Sequence, residues 1–153
     1  MAISKLKRGT TARRRTRPTP KPRSVKPGSP VAPEQVQLVP TKGTPGRGGG
    51  KGGESWRIEV DEKRVGIVFI NVIDEPPIGR HASIQIFLNV ASQGCRIGRV
   101  AYRLACEAST YDEIYAHMRK SNVASRRAAE EAGFSPAALP EQPQLVMVRH
   151  RGA

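Results

Sequence analysis

Apolar positions recur with clear periods from residue 54 onward and are sparse before it. Trp56, Ile58 and Val60 alternate with polar neighbours, which predicts a strand over 56–61 with those three on one face. Asp61-Glu62-Lys63 reads as the turn that follows. Residues 65–73 are a near-continuous β-branched run, the pattern of a strand buried on both faces. Pro76, Pro77 and Gly79 mark a loop over 74–80. Ile84, Ile86 and Leu88 then alternate with Ser83, Gln85 and Phe87, predicting a third strand.

After Ser92-Gln93-Gly94 the period becomes helical. Ile97, Val100, Ala101, Leu104, Ala105 and Ala108 form one apolar stripe, which predicts a helix over 97–108 with Arg99, Arg103 and Glu107 on its far side. A short strand is predicted over 113–118. Asn122 suits the N-cap of a second helix, Gly133 its C′ position, and Phe134 can fold back onto it. A last strand falls at 145–148. The order β-β-β-α-β-α-β predicts an α/β (α+β) domain: an antiparallel meander leading into a βαβ crossover.

Charge and composition change the picture for the first third. The chain of 153 residues carries 26 Lys+Arg against 13 Asp+Glu, and residues 1–53 hold 13 of the basic residues but a single acid, Glu34. All Phe, Trp and Tyr lie after residue 53, whereas 8 of 13 prolines and 9 of 15 glycines lie before it. Such a segment buries too little apolar surface to offset its ordering entropy. Residues 1–53 are therefore expected to be a disordered basic tail, with a charge cluster at 5–17, a proline-rich stretch over 18–40 and a glycine-rich hinge over 43–53. Residues 54–153 are the expected domain.

Several classes drop out. The run over 65–73 is far short of the ~20 apolar residues of a membrane helix. The basic N-terminus has no apolar stretch behind it, unlike a secretory signal. Cys95 and Cys106 lack the spacing of a metal site or a disulfide framework, so no metal is expected and a reducing, cytoplasmic setting is the default.

Three features could carry chemistry. The turn Gln93-Gly94-Cys95-Arg96-Ile97-Gly98 opens a helix, and helix N-termini present unpaired amides and a positive dipole end to phosphates; Arg96 and Arg99 add charge. The second feature is the segment from Asn122 to Gly133-Phe134. The third is the tail. Lys5, Lys7, Arg8, Arg13, Arg14, Arg15, Arg17, Lys21, Arg23 and Lys26, without aromatics, suit contact with a nucleic-acid backbone rather than base stacking.

Together the first two features resemble the GNAT acyltransferase superfamily. Its coenzyme A turn reads Arg/Gln-x-x-Gly-x-Gly/Ala between a strand and a helix, and here Gln93 matches the first position and Gly98 the last. Its next helix opens Asn-x-x-Ala with Gly-Phe eleven residues after the Asn, the interval from Asn122 to Gly133. The resemblance covers about residues 56–149. It implies a GNAT-like mixed sheet, acetyl-CoA as cosubstrate and an amine acceptor. It also implies that pantetheine lies along the backbone of Leu88, Asn89 and Val90. The pyrophosphate would sit on the amides of Gly94, Cys95, Arg96, Ile97, Gly98 and Arg99, and the Asn122 side chain would touch the coenzyme arm.

There are departures from the family pattern. Arg96 stands where the family has its first turn glycine, and Ala129 where it has a tyrosine acid. Ser125, one turn earlier, is the remaining hydroxyl for that role. Candidates for the base are His81, His117, Glu75 and Asp74, of which histidine suits neutral pH best. The family's first strand and two helices, which wall the acceptor side, are expected to be missing, replaced by the tail. The acceptor site is then open, or completed by the substrate or by a second subunit of a homodimer. The favoured reading is an acetyltransferase acting on a macromolecular amine and held on nucleic acid or a nucleoprotein by its tail. The alternative is a non-catalytic GNAT-like nucleic-acid-binding or assembly protein.

Overall fold

The computed structural model describes residues 29–152. The basic residues from Lys5 to Lys26 lie outside the described residues. One seven-stranded mixed sheet organises the rest, in the order β1-β2-β3-β4-β5-β7-β6. The strands are β1 (Val36–Thr41), β2 (Glu54–Val60), β3 (Lys63–Glu75), β4 (Gly79–Leu88), β5 (Glu113–Met118), β6 (Ser135–Pro136) and β7 (Leu145–His150). Two helices interrupt them, α1 (Ile97–Ala108) and α2 (Val123–Glu131).

The meander and crossover follow from the alternation. Val68 and Ile70 of β3, Ile84 of β4 and Ile114 of β5 are almost fully buried on the face that α1 covers. Burial of each such side chain contributes about 1.5–3 kcal/mol relative to exposure. Asp61 and Glu62 both have positive φ (52° and 64°), which closes the tight β2–β3 turn with the twist a hairpin needs. The predicted 74–80 loop is shorter than expected, because β3 runs to Glu75 and β4 starts at Gly79. On α1, Ile97, Val100, Ala101 and Ala105 are buried as the stripe implies, while Ala108 is exposed. Tyr102 and Cys106, off that stripe, are buried as well, because α2 packs along their side of the helix.

The expected boundary at residue 54 is corrected. β1 pairs antiparallel with β2 through its whole length, with Val36 opposite Val60 and Thr41 opposite Ser55. Val36 is 4% exposed and Leu38 packs against the core from the same face. Pro40 is tolerated because β1 is the edge of the sheet, where a missing N–H costs no ladder bond. The glycine-rich stretch is likewise a built turn rather than a hinge. Asn71 accepts from Gly48 N through Oδ1 (2.8 Å) and donates from Nδ2 to Gly46 O (2.8 Å). Gly48 sits at φ 82°, where a Cβ would lie 2.3 Å from Glu54 O, so only glycine fits. A strand thus stands where only a tail was expected, and this glycine turn joins it to β2. Both helices pack on one side of the sheet; among the described residues no helix covers the other.

No helix among the described residues is long and apolar enough to cross a membrane.

Candidate active site

β4 and β5 run parallel but pair only at Ala82–Ile114 and Ser83–Tyr115. Beyond that point each strand keeps to its other partner, β4 to β3 as far as Leu88 and β5 to β7 as far as Met118. A gap opens between them. Asn89 N donates to Val65 O at 2.9 Å, toward β3. Strand alternation then turns the backbone groups of Ile86 and Leu88 toward the gap. The Leu88 carbonyl accepts from Gln93 Nε2 at 3.1 Å.

A cleft of about 550 Å³ continues from this gap between the α1 and α2 helices. Leu88, Gln93, Gly94, Arg96, Ile97, Gly98 and Arg99 line it, as do Asn122 and Ser125 from α2 and its cap. Three predicted residues do not. Asn89 caps a 3-10 turn (Val90–Ser92) by accepting from Ser92 N at 3.1 Å, and Val90 is 65% exposed. The Cys95 side chain is buried, and its carbonyl accepts from Val31 N at 3.0 Å. The backbone turned toward the gap is that of Ile86 and Leu88, with the Leu88 carbonyl held by Gln93, while Asn89 and Val90 belong to the 3-10 turn and its cap. The expectation missed this because a strand's composition does not show which edge its amides face.

The helix begins at Ile97, where the stripe begins. Its N-cap, Arg96, is left-handed (φ 62°), and no side chain caps the first turn, which also holds no acid. The positive dipole end and the first amides therefore face the cleft without a cap from their own turn. Gly98 faces α2, where a Cβ would make an ordinary contact 3.6 Å from Ala128 Cβ. On α2, Asn122 Oδ1 accepts from Ser125 N at 3.1 Å, a helix cap that leaves only its amide nitrogen for a ligand.

Ala129 is fully buried and offers no hydroxyl. Sequence reasoning missed Tyr102, which lines the same cleft from α1 and packs on Phe134 at 5.6 Å between ring centroids. Burial pushes its phenol above the ordinary tyrosine value, partly offset by the neighbouring Ser125 hydroxyl. The phenol is therefore a proton donor across the neutral range. The signal available was its one-turn spacing from Gly98, but helical pattern placed it off the apolar stripe.

His81 and His117 meet on the helix-free face of the sheet, with Nε2 atoms 3.0 Å apart. His117 lies two residues past the last β4–β5 pair, beside the opening of the gap. The proton positions follow from the partners. His81 Nδ1 lies 2.7 Å from the Gly79 carbonyl, which can only accept, so Nδ1 carries hydrogen. In the tautomer with its lone pair on Nε2, His81 accepts from His117 Nε2, which leaves His117 Nδ1 as the basic nitrogen. Burial first, and then His81, hold His117 below 6.5, with Glu75 pushing it back up. Asp74 and Glu75 lie at the outer end of the β3–β4 hairpin, and Asp74 pairs across to Arg80. The three catalytic candidates are thus split: Ser125 in the cleft, the histidines on the opposite face. No group of three or more His, Cys, Asp or Glu among the described residues could hold a metal ion.

No protein-family model and no curated protein matches the chain. Solved structures do. RimJ of Mycobacterium smegmatis, in complex with CoA-disulfide, superposes with TM-score 0.53 at 21% identity over 64% of this chain and 53% of its own. An acetyltransferase of the GNAT family from Streptococcus agalactiae gives TM-score 0.55 at 10% identity, over 65% of this chain and 66% of that one. The fold is that of the GNAT acetyltransferases. Spermidine N-acetyltransferase from Vibrio cholerae, in complex with CoA and spermine, shares it with TM-score 0.51 at 21% identity, over 65% and 66%. This chain spans about half the length of the RimJ structure. In the GNAT fold seen here, the parting of β4 and β5 and the α1 N-terminus sit at two ends of one cleft.

Proposed function

We propose that this protein is an acetyltransferase that moves an acetyl group from acetyl-CoA to an amine on a macromolecule. One observation carries the reading: a sheet opening between parting strands has an uncapped helix N-terminus at one end and a histidine pair with a basic nitrogen beside the other. The residues suit coenzyme A chemically. Amides of Ile97, Gly98 and Arg99 can receive phosphate, Arg96 and Arg99 add charge, and the edges of Ile86 and Leu88 can pair with amides of an extended arm. Acetyl-CoA, when bound, supplies the activated thioester.

His117 Nδ1 takes the proton of the attacking amine, and His81 fixes the orientation of its ring through the Nε2 contact. Tyr102, in contact with Ser125, donates a proton on the cleft side, where the departing sulfur needs one. This replaces the role expected of Ser125 alone. Among the described residues no helix covers the face that carries the histidines, and half-buried His117 is the one of the pair that a large acceptor such as a protein amine could reach. The tail adds Lys5 to Lys26 as a polycation for nucleic acid or a nucleoprotein. A second reading, a non-catalytic module, draws on Ala129.

Free-thiol release from acetyl-CoA with lysine-bearing peptides and ribosomal or nucleic-acid-binding proteins separates the two. Turnover on any of them supports the enzyme, and binding of coenzyme A without turnover supports the module. Removal of residues 1–28 should abolish salt-sensitive binding to duplex or RNA while leaving thiol release on short peptides intact. Equal binding with and without the tail would refute its role.

A further inference from the structure

An internal ion-pair cluster stands in the wall of the cleft. Glu131, at the end of α2, takes Arg96 Nη2 at 2.6 Å and Arg99 Nη1 at 3.5 Å on one carboxylate oxygen. All three residues line the cleft. Arg99 Nε is buried and has no hydrogen-bond partner among the described residues. A buried donor left unpaired is costly, and a cleft wall is where a ligand can satisfy it.

We propose that Glu131 sets the affinity of this cleft for phosphorylated ligands by competing with their phosphates for Arg96 and Arg99. The inference rests on the coenzyme A reading above and adds a residue to it. The geometry favours competition over support. A carboxylate that merely positioned the arginines would hold them from behind and leave the guanidinium ends free. Glu131 instead takes terminal nitrogens, one from each arginine, while Arg99 Nε stays unpartnered. A phosphate bearing more charge and three oxygens can replace one carboxylate oxygen on both guanidinium groups. Arg96 is held in a left-handed conformation, so its side chain leaves the turn on a course fixed by the backbone. Both partners are partly exposed, with side chains 48% and 40% accessible for Arg96 and Glu131, so the contact can exchange with solvent.

The test is calorimetric titration of the full chain and its Glu131→Gln and Glu131→Ala variants with coenzyme A, dephospho-coenzyme A and inorganic pyrophosphate. Thermal unfolding of each variant checks that it is folded. Both variants should bind coenzyme A and pyrophosphate several-fold more tightly than the parent, with the same order of gain in each variant. Equal or weaker binding by a folded Glu131→Gln variant would overturn the proposal and make Glu131 a support for the arginines. If coenzyme A fails to bind any form while pyrophosphate still gains on Glu131→Gln, the competition stands and the coenzyme assignment falls. If dephospho-coenzyme A gains as much as coenzyme A, Glu131 competes with the diphosphate; a smaller gain places the contest at the 3′-phosphate.

Discussion

The histidine pair makes the sharpest prediction. In His81→Phe a ring of similar size fills the site, but the acceptor 3.0 Å from His117 Nε2 is removed. The contact sets which nitrogen of His117 is basic and how its ring is turned. A net hydrogen bond contributes about 0.5–1.5 kcal/mol. Its loss should therefore cost roughly two- to tenfold in turnover. Partial access of water to half-buried His117 favours the lower end. His117→Asn removes the base itself and should cost about 10²–10⁴-fold. Thiol release measured from pH 5 to 9 reads both effects. The parent should show an acid limb below 6.5, since burial disfavours the imidazolium. Glu75→Gln takes away the one influence raising this group, so its limb should move to lower pH. In His81→Phe a limb should persist with reduced rate, and in His117→Asn it should vanish. Folding obeys the same sign: the unfolded chain protonates His117 first, so its part of the stability is whole above 6.5 and is lost as pH falls. If His117→Asn kept most of the turnover and the same acid limb, the proton route through this pair would be wrong.

Tyr102→Phe keeps the packing on Phe134 but loses the hydroxyl; turnover should drop by about tenfold or more with coenzyme A affinity unchanged, as titration beside kinetics would show. An equal loss of affinity would instead make the phenol a binding group. Arg96→Gly relieves a left-handed backbone that costs a non-glycine residue about 1–2 kcal/mol, against an exposed ion pair worth about 0–1 kcal/mol. Its melting temperature should rise by a few degrees, and a fall would show that Arg96 supports the fold.

Much of the frame was legible in the residues. The change of period from two to nearly four at Gly94 marked the passage from meander to crossover, and the helix over 97–108 and the strand over 113–118 have those bounds in the structure. Asn122 and Gly133 bracketed α2 because capping is local chemistry, carried by side chains and backbone a few positions apart. β1 escaped notice because its two core residues, Val36 and Leu38, are embedded in proline-rich sequence. An edge strand needs only one paired side, so it survives on a signal that composition hides.

What the sequence determined by itself was periodicity and local turns, and with them the elements, the start of α1 and the net charge of the first third. The tertiary structure alone decided which groups meet. His81 and His117 are thirty-six positions apart, and Glu131 reaches Arg96 across thirty-five. Tyr102 faces a cleft because a second helix closes over its side of the first. Such contacts depend on strand register and on where two parallel strands part, and both are fixed by the summed packing of the whole sheet rather than by any segment of it.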